Sequence, residues 1–184
     1  NKTIGFPLMV KPTGLAASRL VTLCYYKEEL TKVVETAFRR IKNVYKETSG
    51  TWEPKLLVEQ FMEGEMYSVD CYVNDRGRVW FCPMVSVTTG HNIGFDDFFG
   101  YLQMTPTTLA TEEIHRAEMA ALQAIHALGL KSTTAHIELM KTEDGWKIIE
   151  VGARIGGFRH RMYEMTRGIN HALNDVLIRI PKNP

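Results

Sequence analysis

Between Thr134 and Arg154 the chain reads TAHIELMKTEDGWKIIEVGAR, two apolar runs on either side of the polar turn KTEDG. That pattern predicts a β-hairpin, and a hairpin restricts what the rest of the chain can build around it. Each run also carries a carboxylate, Glu138 inside the first and Glu150 at the end of the second. Residues on facing strands look at one another across the ladder, so two glutamates on one face come within reach of a single ion. Left unpaired, they would repel and raise each other's pKa. Oxygen ligands at that separation suit Mg2+, which takes its remaining ligands from water and phosphates. Arg154, four residues after Glu150, is spaced to grip a phosphate. The alternative is that both glutamates are partly exposed strand residues paired with Lys or Arg.

The rest of the chain reads as α+β. GFPLMVKP and RLVTLCYY are strand candidates around the small-residue loop TGLAAS, and Leu30, Val33, Val34, Ala37, Ile41 and Val44 predict an amphipathic helix over 27–46. After the breaker-rich TSGTWEP come the strand KLLVEQFM and a hairpin, MYSVDCYV and RVWFCPMVSV around NDRG. Residues 88–106 lack periodicity and read as a long loop or lid, with His91 a solvated loop histidine. A second helix is expected over 111–128, closed by Gly129, and a last one over about 169–180.

Charge and cysteine content narrow the function classes. The 22 basic and 21 acidic side chains nearly cancel and form no single-sign run, which argues against a nucleic-acid or membrane surface. Cys24, Cys71 and Cys82 lie in apolar runs without CxxC spacing, so they read as structural thiols of a reducing compartment rather than a zinc or disulfide framework. With no run approaching the ~18 apolar residues of a membrane span and no signal-like start, a soluble, cytoplasmic protein is expected.

Three further segments bear on chemistry. In VKPTGLAAS, Lys11 ends a strand and a loop of Gly, Ala and Ser18 follows, offering an ammonium and backbone N–H groups to an anion; a lysine snorkelling from a strand end is the alternative. In LLVEQFMEG an apolar strand delivers Glu59, Gln60, Phe61 and Met62, suited to reading the edge of an adenine and sandwiching its ring, or simply to forming core. After Arg154, Gly156 and Gly157 lead into Arg159, His160 and Arg161, which fits either a clamp for a carboxylate substrate or a glycine turn into a helix with a basic first turn.

Lys11 in GFPLMVKP, then LLVEQFMEGEMYSVD, then Glu138, then IIEVGAR ending in Arg154 follow one another as in the ATP-grasp superfamily. The chain resembles its carboxylate–amine ligases, above all the L-amino-acid ligase and carnosine-synthase-like branch. The resemblance implies two α+β lobes with antiparallel sheets and amphipathic helices that hold ATP between them. It also implies a reaction in which ATP phosphorylates a carboxylate and an amine or amino acid attacks the acyl phosphate. By this resemblance Lys11 binds phosphate with Ser18 in its loop, Glu59, Gln60, Phe61 and Met62 read the adenine, and Glu65 is the candidate ribose contact. Glu138 and Glu150 hold Mg2+, or Mn2+ in its place, and Arg154 stabilises the transferring phosphoryl group. Gly156, Gly157, Arg159 and His160 are the candidate substrate residues.

Glycine is more usual in the family where this loop has Ala16, Ala17 and Leu20, and many relatives carry asparagine where Gly152 stands. The expected division is a small ATP-binding lobe over 1–58, incomplete at its start, and a metal- and substrate-binding lobe over 59–184. Because the family's α/β N-terminal domain would precede the lysine strand, a piece of a longer protein is expected, with that domain on the same or a partner chain. A homo-oligomer is compatible with this. Two alternatives stay open: bicarbonate phosphorylation in the manner of carbamoyl-phosphate synthetase or biotin carboxylase, and a nucleotide-binding or structural module without turnover.

Overall fold

The stripe of apolar residues from Leu30 to Val44 forms the expected helix, α1 (Lys27–Glu47). The computed structural model describes residues 4–15, 17–47, 53 and 55–180. They divide into two compact units, one of residues 1–62 with 89–100, the other of residues 63–88 with 101–184. TSGTWEP, apart from Glu53, and Ala16 of the small-residue loop lie outside the described residues.

In the first unit β1 (Leu8–Pro12) is the centre of an antiparallel sheet ordered β2-β1-β3, flanked by β2 (Thr22–Cys24) and β3 (Leu56–Gln60). Strand alternation buries Leu8 and Val10, as Cys24 and the α1 residues Ala37 and Ile41 are buried, and leaves Met9 and Lys11 on the more open face. The boundary expected at residue 58 is displaced, because β3 runs on to Gln60, the ladder partner of Leu8, and the Phe61 N–H donates to the Pro7 carbonyl. The unit therefore continues to Met62.

The second unit is built on a six-stranded sheet. Its path is β7 (Gly100–Met104), β6 (Val85–Thr89), β4 (Glu65–Val73), β8 (Thr133–Thr142), β9 (Gly145–Gly152), with β5 (Val79–Phe81) also paired to β4. Strands β4 and β8 are antiparallel from Glu65↔Lys141 to Val73↔Thr133. Successive side chains point to opposite faces, so one parity of residues on both strands shares a face. Tyr67, Val69, Cys71, Ala135, Ile137 and Leu139 form the core with Ala117, Ala121 and Ile125 of α2 (Thr111–Ala127). The other parity carries Ser68, Asp70, Tyr72, Thr134, His136 and Glu138. Tyr72 there packs with Tyr163 of α3 (Arg159–Arg167) and Ile178 of α4 (His171–Arg179). With α2 filling the apolar face, the polar groups of these strands collect on the α3 and α4 side.

Two expectations about strands change. RVWFCPMVSV is two strands, not one: Pro83 lacks an N–H for the ladder, so β5 pairs the far half of β4 and β6 the near half. Residues 88–106 contain a short 3-10 turn, His91–Ile93, and the edge strand β7. β7 has no hydrophobic period because an edge strand buries little of either face. The NDRG hairpin forms as expected, with the Asn74 side chain accepting from the N–H groups of Arg76 and Arg78 and Gly77 at φ 81°. Helix α2 ends as expected at Gly129 (φ 63°), whose N–H and that of Leu130 donate back to His126 and Ile125. Cys24, Cys71 and Cys82 are free, buried thiols. Among the described residues no helix is long and apolar enough to cross a membrane.

Candidate functional site

On the open face of the first sheet Lys11 and Glu59 meet. Glu59 is the ladder partner of Met9, two residues before Lys11, and the Lys11 ammonium lies 2.5 Å from its carboxylate. In the loop after β1, Ala17, Ser18 and Leu20 take φ values of 58°, 54° and 60°. The left-handed turns that glycine would make easy are thus adopted by residues with a Cβ. The Ser18 hydroxyl donates to the Phe98 carbonyl at 3.0 Å. Phe61 packs against Phe98 and edge-on to His91, and His91 stacks on Phe98 at 5.2 Å between ring centres. Gln60 is exposed and Met62 half-buried. His91 is accordingly exposed but engaged by two rings.

The hairpin of β8 and β9 places the two glutamates as direct ladder partners, Glu138↔Glu150. This pairing depends on a β-bulge. Near the turn Leu139 faces Ile148, but one step on Glu138 faces Glu150, so Ile149 is the extra residue. The slip exchanges the faces of β9. Trp146 and Ile148 pack on the apolar core before it and Val151 after it, leaving Glu150 on the face of Glu138. Arg154 sits 3.9 Å from Glu150, and its guanidinium also donates to the Ile155 carbonyl. The Glu138 side chain is 29% exposed and that of Glu150 54%. Two open carboxylates at one ladder position fit a hard divalent cation that draws its other ligands from phosphates and water. Among the described residues no group of three or more His, Cys, Asp or Glu is arranged to hold a metal. Glu65, on β4, accepts from the Tyr67 hydroxyl at 2.9 Å. Burial, then the Glu65 carboxylate, pushes that phenol up to about 12.

Behind Glu138 lies a group that the sequence did not announce. Asp70 is fully buried and faces His136 across the β4–β8 ladder. Its carboxylate accepts from His136 Nδ1 at 2.6 Å, His171 Nε2 at 2.8 Å and the Gly156 N–H at 2.8 Å. His171 Nδ1 takes the Tyr72 hydroxyl at 2.5 Å, and His136 Nε2 lies 3.4 Å from a Glu138 oxygen. Burial would raise the Asp70 pKa, but the bonds from His136, His171 and Gly156 outweigh it and hold it at about 2. Burial pulls His136 down, yet the Asp70 bond and then the Glu138 carboxylate lift it to about 9. A carboxyl held below its unfolded value of 3.8 contributes stability that is complete only above about pH 5 and is lost as pH falls through 3.8 toward 2. We expect urea unfolding at constant ionic strength to lose stability steadily from pH 5 to pH 2.5. Asp70→Asn should flatten that slope, the full effect being about 2 kcal/mol. An unchanged slope in Asp70→Asn would show that other carboxyls carry it.

The turn after Arg154 corrects two expectations. Gly156 approaches protein rather than open space: a Cβ there would lie 2.5 Å from His136 Nδ1, 2.7 Å from Arg159 Cγ and 2.9 Å from Asp70 Oδ1. Arg159, a candidate substrate residue, is buried. Its guanidinium donates to Ser68 Oγ at 2.6 Å, to Gln103 and to the Gly157 carbonyl. Burying a guanidinium is costly unless its N–H groups find acceptors; here the two terminal nitrogens find them within the unit, while Nε is buried without a partner. Gly157 and His160 stay open to solvent. The signal that would have exposed Asp70 and His136 is a charged or imidazole side chain inside an otherwise apolar run, as in YSVDCYV and TAHIEL; His171, in INHALND, carries no such signal.

A family model described as an ATP-grasp domain matches residues 4–161. Among curated proteins, the chain is 27% identical over 163 residues to phosphoribosylamine–glycine ligase of Lactococcus lactis, covering 83% of the chain and 36% of that protein. It is 30% identical over 170 residues to alanine–anticapsin ligase of Bacillus subtilis, covering 84% of the chain and 34% of the relative. The crystal structure of L-amino acid ligase from Bacillus licheniformis superposes with a TM-score of 0.77 at 23% identity, covering all of this chain and 41% of that one. The chain spans about a third of the length of these curated relatives.

Proposed function

Since the chain belongs to the ATP-grasp domain family, we propose that it is the nucleotide- and metal-binding part of a ligase that activates a carboxylate as an acyl phosphate for an amine or amino acid. The observation that carries this is the bulged pair Glu138↔Glu150 with Arg154 beside it. Both curated relatives are named as ligases of an amino acid, which favours an amine acceptor over bicarbonate chemistry.

In this reading the first unit is the small ATP-binding lobe. Lys11 exchanges Glu59 for nucleotide phosphate, the Ser18 loop turns its N–H groups to the same anion, and the Glu59–Met62 strand end with Phe61 takes the adenine. The second unit is the metal- and substrate-binding lobe, with Glu65 toward the ribose. Glu138 and Glu150 hold Mg2+, for which Mn2+ can substitute, and the ion when bound offsets the charge of the phosphates. Arg154 stabilises the phosphoryl group as a carboxylate oxygen bonds to the γ-phosphorus and the bond to ADP breaks. The amine nitrogen then bonds to the acyl carbon, phosphate leaves and the amine loses a proton. The open turn at Gly157 and His160 borders the small-molecule substrates, whereas Arg159 supports the turn from within. The remaining two thirds of the relatives' length supply the other domains, and we place the reaction in the cytoplasm, where ATP is made and used.

Calorimetric titration with ADP, with and without Mg2+, tests this. Mg2+ should tighten ADP binding to the chain, and Glu138→Gln or Glu150→Gln should each weaken the Mg2+-dependent part about 100-fold, or about 2.7 kcal/mol. Mg2+-independent binding, or unchanged affinity in both variants, would overturn the metal assignment.

A further inference from the structure

We infer that His136 is a positioning residue for the Glu138 carboxylate, with Asp70 as the buried anchor that fixes its imidazole. This rests on the reading of Glu138 as a metal ligand. His136 and Glu138 stand two residues apart on β8 and so share a face. The ring is held at one edge by Asp70 at 2.6 Å and presents the other, Nε2, 3.4 Å from Glu138 Oε1. Asp70 cannot follow a rotating ring, because His171 and the Gly156 N–H hold its second oxygen, both at 2.8 Å. His171 is in turn fixed by Tyr72. Four segments, β4, β8, α4 and the turn after Arg154, thus converge on one carboxylate, and the single edge of the group that leaves the interior faces Glu138.

A glutamate side chain has three rotatable bonds, and freezing them opposes ion binding unless a neighbour has already restricted them. The contact of His136 Nε2 with one oxygen of Glu138 restricts them and leaves the other oxygen for a cation. Carboxylates that bind metals are commonly held this way, and removing such a support typically weakens metal binding 10- to 100-fold. A merely structural imidazole would satisfy Asp70 just as well without a nitrogen directed at Glu138.

The two nitrogens can be separated by substitution. In His136→Asn the amide nitrogen replaces Nδ1 and retains the bond to Asp70, while nothing replaces Nε2. We expect this variant to unfold near the wild-type temperature, to bind ADP alone as the wild type does, and to bind ADP with Mg2+ at least about tenfold more weakly. In the Glu138→Gln background the same substitution should add no further loss. If His136→Asn binds Mg2+ and ADP like the wild type while Glu138→Gln does not, the positioning role is wrong and the metal site stands. If Glu138→Gln is also without effect, the metal site itself is wrong. Should His136→Asn fail to fold, 15N spectra of the unsubstituted chain decide. The His136 Nε2 resonance should shift when Mg2+ is added to the ADP complex, and an unmoved resonance would overturn the inference.

Discussion

Asp70→Ala is expected to lower the unfolding free energy of the chain by about 3–5 kcal/mol, seen as a lower urea midpoint at unchanged slope. Asp70 has no solvent exposure and receives three hydrogen bonds, from two imidazoles and a backbone amide. Alanine leaves all three donors without an acceptor at a site closed to solvent. Each buried orphan donor costs about 1–3 kcal/mol, and His136 also loses its counter-charge. Asp70→Asn should fall between, since an amide oxygen replaces one acceptor while its NH2 group faces another donor. A loss below about 1 kcal/mol in Asp70→Ala would mean that this carboxylate does not hold the α4 side of the sheet together.

Gly156→Ala should cost about 2–4 kcal/mol, whereas Gly157→Ala should stay within about 0.5 kcal/mol of the wild type. The contrast comes from space, not from backbone angles. Around Gly156 a methyl group would press on His136, Asp70 and Arg159, all inside 3.0 Å, and around Gly157 nothing lies within 4 Å. None of the three neighbours can yield freely. His136 and Asp70 hold each other, and Arg159 is tied to Ser68 and Gln103. The alanine must therefore move the turn and break the Gly156 N–H bond to Asp70, which amide hydrogen exchange at residue 156 would register. Equal stability of the two variants would refute this account of the turn.

Elements joined by short turns were legible in the sequence, because the signal for each sits in a dozen residues. Gly145 and the alternation around KTEDG give the β8–β9 hairpin, Asn74 and Gly77 the β4–β5 turn, and Gly129 the end of α2. What the sequence hid depends on distance along the chain. Asp70 meets partners 66, 86 and 101 residues away, and no local pattern joins them. The burial of Arg159 was hidden for the same reason, since one of its acceptors is Ser68, 91 residues earlier. The bulge was invisible too: IIE reads the same whether Ile149 is in step with the ladder or is the residue left over.

That leftover isoleucine bears on how the chain finds its fold. Were the hairpin to zip up from its turn without the slip, Leu139↔Ile148 would be followed by Glu138 opposite Ile149 and Glu150 opposite Ile137. Glu150 would then point toward Ala117, Ala121 and Ile125, where an ionised carboxylate has no partner, and docking of α2 would be opposed by several kcal/mol. The misaligned hairpin is thus incompatible with the packing of α2 on the sheet. The negative charge of Glu150 sets the native strand register energetically apart from the slipped one.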